Sequence, residues 1–151
     1  MNFDAYGPPD LQIGALRLWV HGRQFPEALD ELDGNWLNVS AHYAAHGASV
    51  AVSGAILDTV SFATFERQLE TLHESLAGQA VLASDEPELR AQIDGGGASG
   101  RMQLRVDMTP DNVAQGHWFE QEIDQSYLPP ALAACAAVLR RYPVRGRAPA
   151  Q

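Results

Sequence analysis

The chain has 151 residues, the length of one domain, and its 46% hydrophobic and 19% charged residues argue against a disordered or fibrous protein. Ten arginines, no lysine and nineteen acids give a net charge of −9, which argues against the basic face of a nucleic-acid binder and against adhesion to anionic lipid. A single cysteine, Cys135, excludes an internal disulfide or a cysteine metal cluster, the first ten residues lack the regions of a secretory signal, and no run of about 18 apolar residues exists to span a membrane, so a cytoplasmic location is expected.

Residues 1–10, with Gly7, Pro8 and Pro9, read as a flexible lead-in. Leu16, Leu18 and Val20 alternate with Arg17 and Trp19, which predicts a strand over 11–21. Residues 23–35 have no period and read as a loop. Leu37, Val39, Ala41 and Tyr43 predict a second strand, and Val50, Val52, Gly54 and Ile56 a third, paired as a hairpin across Gly47. The period then changes. Phe62, Phe65, Leu69, Leu72 and Leu76 are spaced three and four apart and share one face of a helix. Ser61 is its expected N-cap, and Gly78 its left-handed terminus. The other face carries Glu66, Glu70 and Glu74, a like-charge row that weakens the helix slightly, so packing of the apolar face must dominate.

Val81 and Leu82 suggest a short strand. Leu89, Ala91 and Ile93, and then Met102, Leu104, Val106 and Met108, alternate with charged or polar residues and predict two strands of a sheet wet on one side. His117–Ile123 is a further strand, with Phe119 and Ile123 inward. The stretch 129–142 reads as a helix opened by Pro129 or Pro130, with Leu132, Cys135, Ala136 and Leu139 on its apolar face and Pro143 behind it. The expected fold is α+β: an antiparallel meander sheet of about six to seven strands with two amphipathic helices packed on one face. Residues 11–145 form its single domain and 146–151 a flexible tail.

Catalytic and metal signatures are weak. The glycines at 95–100 lack the Lys-Ser/Thr of a phosphate loop and read as a hairpin loop. His42 and His46 straddle a turn and have no further ligands to complete a metal site. Glu120 and Glu122 share a strand face about 7 Å apart; paired carboxylates can run glycoside chemistry, but a solvated face is the commoner setting. Cys135, in an apolar stripe, suits a buried inert thiol. No cofactor is expected, and no enzyme activity. The tryptophans carry more: Trp19, Trp36 and Trp118 fall on the polar faces of their strands, where a loop, a second copy of the chain or a partner must cover them. Acidic residues also cluster, at Glu27, Asp30, Glu31 and Asp33 and again over 107–124. Either cluster reads as solvated surface or as a field that steers a cationic partner.

The run Asp30-Glu31-Leu32-Asp33-Gly34-Asn35-Trp36-Leu37-Asn38-Val39, the helix pattern that follows and the closing Tyr142-Pro143-Val144-Arg145 resemble bacterial immunity proteins of the WapI type, over roughly residues 11–145. These are small domains encoded beside polymorphic, contact-dependent toxins. The resemblance implies a non-catalytic inhibitor that binds one toxin domain. A toxin that attacks nucleic acid is expected to be cationic, and an acidic partner gains association rate and specificity against it. Glu27, Asp30, Glu31, Asp33 and Trp36 are the expected interface. Asp33 and Asn35 equally suit the turn that launches the strand, through side-chain bonds to backbone N–H groups. Two other expectations compete: a structural domain acting through a homodimer contact at a tryptophan, and a hydrolase built on Glu120 and Glu122.

Overall fold

The computed structural model of the protein describes residues 2–146, so of the expected tail only Gly146 is described and 147–151 lie outside. The chain runs the same order twice: four antiparallel strands, then a helix. The first unit is β1 (Leu11–Ile13), β2 (Leu16–Arg23), β3 (Trp36–Ala45), β4 (Ala48–Asp58) and α1 (Thr59–Ser75). The second is β5 (Gln79–Ala83), β6 (Leu89–Gly95), β7 (Arg101–Met108), β8 (His117–Asp124) and α2 (Leu128–Arg141). Each sheet is a meander in sequence order. The fold is therefore α+β with antiparallel strands, as expected, but it has two four-stranded sheets in place of one sheet of six to seven.

Two physical causes account for the difference. Alternating faces specify that a strand is half buried, yet do not say whether its dry face meets a helix or another sheet. Here the dry faces of both sheets, with Leu18, Val39 and Ala41 on one and Ala91, Leu104 and Val106 on the other, belong to one continuous core. Tyr43 of β3 stacks on Phe119 of β8 at 4.3 Å across the two sheets. The helices do not share one sheet face; they pack on each other, with α1 also against β5 and α2 against β1. The second cause is local. Gly14, at φ +55°, turns the expected strand 11–21 back on itself, so Leu11 pairs with Leu18 in a small hairpin. Gln121 of β8 accepts from the Ala15 N–H at 3.0 Å and so ties that hairpin to the second sheet.

Helix α1 buries Phe62, Phe65, Leu69 and Leu72, as its spacing requires. Its ends differ from expectation. Asp58 is the N-cap, accepting from Ser61 N–H at 2.7 Å and from Ser61 Oγ at 2.8 Å, and Leu76 takes the left-handed position at φ +59°. Burial, followed by the charge of Glu70, raises the Glu66 pKa, so the like-charge row is the lesser cause. In α2 the fully buried side chains are Leu128, Ala131, Cys135 and Val138; of the expected stripe Cys135 is among them, and Leu132 and Leu139 pack against the core partly buried. Gly95 passes so close to the end of α1 that an added Cβ would meet the Leu76 carbonyl and the Leu72 side chain, and Gly97 N–H donates to that carbonyl at 2.8 Å. The glycine-rich segment thus allows close backbone approach.

The lead-in contains a short 3₁₀ turn, Phe3–Tyr6, laid on the outer face of the first sheet. Phe3 stacks on His42 at 4.1 Å and on Trp19 at 5.3 Å, and Tyr6 packs against both Trp19 and His21. Trp19 Nε1 donates to the Gly7 carbonyl at 3.0 Å. Trp19 is thereby only 2% exposed, covered by its own chain. Beneath the same turn, Arg17 Nη2 donates to His42 Nδ1 at 2.8 Å. A guanidinium has no acceptor, so Nδ1 must accept and Nε2 carries the proton, donating to Ser49 Oγ at 2.7 Å. His42 is locked neutral, and burial together with the Arg17 charge lowers its pKa. A depressed histidine pKa stabilises the fold above the unfolded value of about 6.5 and loses that contribution as pH falls through the folded value. We predict that His42→Gln costs more stability at pH 7 than at pH 5 in urea unfolding; a cost that grows on acidification contradicts this.

Candidate partner-binding surface

The loop between β2 and β3, residues 24–35, is acidic and its side chains point largely to solvent, yet its backbone is fixed. Asp30 accepts from the Asp33 N–H at 2.9 Å, and Gly34 N–H donates to the Asp30 carbonyl at 3.0 Å, closing a tight turn. Behind the turn lies Asn35, 1% exposed. Its Nδ2 donates to the carbonyls of Glu31 at 2.9 Å and Arg145 at 3.0 Å. Its Oδ1 accepts from Arg145 N–H at 2.8 Å and from Thr59 Oγ1 at 2.9 Å. One amide therefore joins the loop, the first residue of α1 and the C-terminal segment, with all its hydrogen-bonding capacity used.

Arg145 closes the clamp from the far end of the chain. Its Nη1 donates to the carbonyls of Pro26 at 2.7 Å and Ala28 at 2.8 Å. Arg23 at the end of β2 donates to the carbonyls of Gly34 and Pro143. The two segments singled out in the sequence, Asp30–Val39 and Tyr142–Arg145, thus meet in space. Arginine suits this work because its fork of fixed donors can satisfy several carbonyls at once.

Of the expected interface, Glu27, Asp30, Glu31 and Asp33 are all exposed on this loop, and Trp36 is half-buried at the start of β3. Glu31 and Trp36 come together with Leu32, Asp58, Val81 and Asp85 around a groove of about 430 Å³ at the N-terminal end of α1. Asp30 has a structural duty as the turn acceptor, and Asn35 is wholly structural, while the Asp33 backbone rather than its carboxylate makes the turn. Sequence reasoning missed Leu29 and Leu32, which are 73% and 79% exposed. Their signal was available: two leucines among acids, in a stretch with no period that could bury them.

The other candidates fall elsewhere. Glu120 and Glu122 stand on the outer face of β8, beside Arg105 at 3.5 Å and Arg101 at 3.4 Å, as ion pairs on a solvated sheet. Cys135 is buried and its thiol pKa is pushed up to about 12, first by desolvation and then by Glu66, so it carries no thiolate near neutrality. No group of three or more His, Cys, Asp or Glu among the described residues is placed to hold a metal ion. Trp118 is 60% exposed, with the Arg105 guanidinium 5.1 Å from its ring centre. No helix among the described residues is long and apolar enough to cross a membrane.

Fold and surface together define a small two-sheet α+β domain that displays a clamped acidic loop. The immunity protein WapI-like family model matches residues 10–143, most of the chain, and the chain belongs to that family. No curated protein matches the sequence. Among solved structures, that of a plant transcriptional regulator, PBF-2, is similar, with 10% identity over 84% of this chain and 75% of that one and a TM-score of 0.49. A likeness of that size says nothing about function.

Proposed function

We propose that this chain is a non-catalytic binding protein that neutralises a cationic bacterial toxin domain in the cytoplasm, using the 24–35 loop and Trp36 as its contact surface. The observation that carries the reading is the combination at the loop. Leu29 and Leu32 are held out to solvent, 73% and 79% exposed, on a backbone clamped by Asn35, Arg23 and Arg145 and flanked by Glu27, Asp30, Glu31 and Asp33. A preformed loop loses little conformational entropy on binding. Exposed leucines supply apolar area for the centre of a contact, and surrounding acids steer a basic partner to it. Family membership supports a toxin as that partner. The neutral, pinned His42 and the ion-paired Glu120 and Glu122 support the absence of chemistry, since neither offers a general base beside a cleft.

The test is a hydrogen-exchange footprint of the chain in complex with the basic C-terminal domain of the secreted protein encoded beside it. Slowed exchange over residues 24–36 in a one-to-one complex is expected. Failure to form the complex, or slowing confined to β8, contradicts the reading. A homodimer meeting at Trp118 is the second reading, favoured by that side chain's exposure and by the unpaired edge of β8. Light scattering separates the two, because a strict monomer at high concentration removes the homodimer.

A further inference from the structure

We propose that the groove beside Trp36 receives an arginine side chain of the partner, with its guanidinium over the indole and its charge facing Asp85 and Asp58; the proposal rests on the partner-binding reading above. The chain itself shows what its tryptophans accept. Arg17 lies over Trp19, and Arg105 over Trp118, each with its guanidinium carbon 5.1 Å from the ring centre. Among the described residues no guanidinium lies over Trp36, the third tryptophan.

Its surroundings are suited to one. The groove is lined by acids from two separate elements, Asp58 from the end of β4 and Asp85 from the turn after β5. Among the described residues no basic side chain lines it. The apolar part of the lining, Leu32 and Val81 beside the indole, matches the three-methylene stem of an arginine. A planar, weakly hydrated guanidinium stacks on an indole and still donates to carboxylates at its edge, which a lysine ammonium does less well. Charge complementarity thus selects a cationic side chain, and the aromatic surface selects arginine among cations. The groove also adjoins Leu32, so an arginine seated there would anchor one side of the loop contact. Asp85 lies outside the 24–35 loop, and this lets the groove be tested separately from it.

The experiment titrates the full ¹⁵N-labelled chain with N-acetyl-arginine amide and, in parallel, with the neutral isostere N-acetyl-citrulline amide. The arginine probe is expected to shift the Trp36 indole N–H and the Val81 and Ala83 amides saturably, and the citrulline probe to leave them in place. Asp85→Asn, on an exposed turn, should weaken the arginine probe about threefold without altering the fold. Equal response to both probes, or shifts spread evenly over the acidic surface, overturns the proposal. So does saturation seen only in a chain ending at Gly146, since residues 147–151 would then be the occupant. If the probe saturates the groove but the toxin domain does not bind, the functional reading fails alone. If the toxin domain binds and the groove stays silent, this inference fails alone.

Discussion

Asn35→Ala is expected to destabilise the protein by about 3 kcal/mol, the range for stranding several partners of a buried amide. The side chain is 1% exposed and makes four hydrogen bonds, two as donor and two as acceptor. Its removal leaves the Arg145 N–H and C=O, the Glu31 carbonyl and the Thr59 hydroxyl to find water through a gap in a packed region. In a chain of this size that loss lowers Tm by roughly 9 °C. The local consequence matters more for function. With the amide gone, nothing ties Glu31 to the C-terminal segment through this point, so exchange of the amides at 25–34 should accelerate beyond the change in global stability. Asn35→Asp provides the control within the same volume. A carboxylate still accepts from Arg145 N–H and Thr59 Oγ1, but it cannot donate, and it would face two carbonyl oxygens. A stability loss comparable to that of the alanine variant is therefore expected. A loss under about 1 kcal/mol for both would mean that the clamp is incidental to the loop.

Much of this arrangement was legible in the sequence, and the reasons for the gaps are physical. The long periodic elements came through because burial acts on every residue of a face: Phe62 through Leu72 in α1, and Leu104, Val106 and Met108 in β7. The number of sheets did not, since Ala91 alternates identically whether its face meets a helix or another sheet. The hairpin at Gly14 did leave a trace, since a two-residue turn moves the buried positions from Leu11 and Ile13 to Leu16 and Leu18 and so breaks the alternation, but one break in so short a run does not by itself separate a turn from an irregular strand. Phe3–Tyr6 has no period at all; it is placed by aromatic stacking on His42 and Trp19, which only the fold brings near. At the candidate surface, the acidic residues and Trp36 were visible by type. The clamp was not, because Asn35 and Arg145 are 110 positions apart and their contact is purely tertiary. Asn35 suits a local turn by type; it serves the turn and also joins the loop to the first residue of α1 and to the C-terminal segment.

Charge on the loop has the other large expected effect. Glu27 and Asp33 are exposed, and neither carboxylate takes part in the Asn35 clamp. Reversing both to lysine changes the loop by four charges without touching the buried hydrogen bonds, so the fold should persist with an unchanged Tm. Steering by such a field spans about ten- to a thousandfold in association rate. The Glu27→Lys, Asp33→Lys variant should accordingly bind a basic toxin domain about a hundredfold more weakly, chiefly through slower association, with the gap closing as salt is raised. Glu70→Lys, Glu74→Lys on the exposed flank of α1 serves as the same charge change placed elsewhere. Measuring the association rate of the native chain and these two variants with the toxin domain proposed as its partner is the most direct trial. A slow, salt-sensitive loop variant beside a much faster Glu70→Lys, Glu74→Lys is the predicted result. Equal rates for all three would show that the partner is captured by some other face.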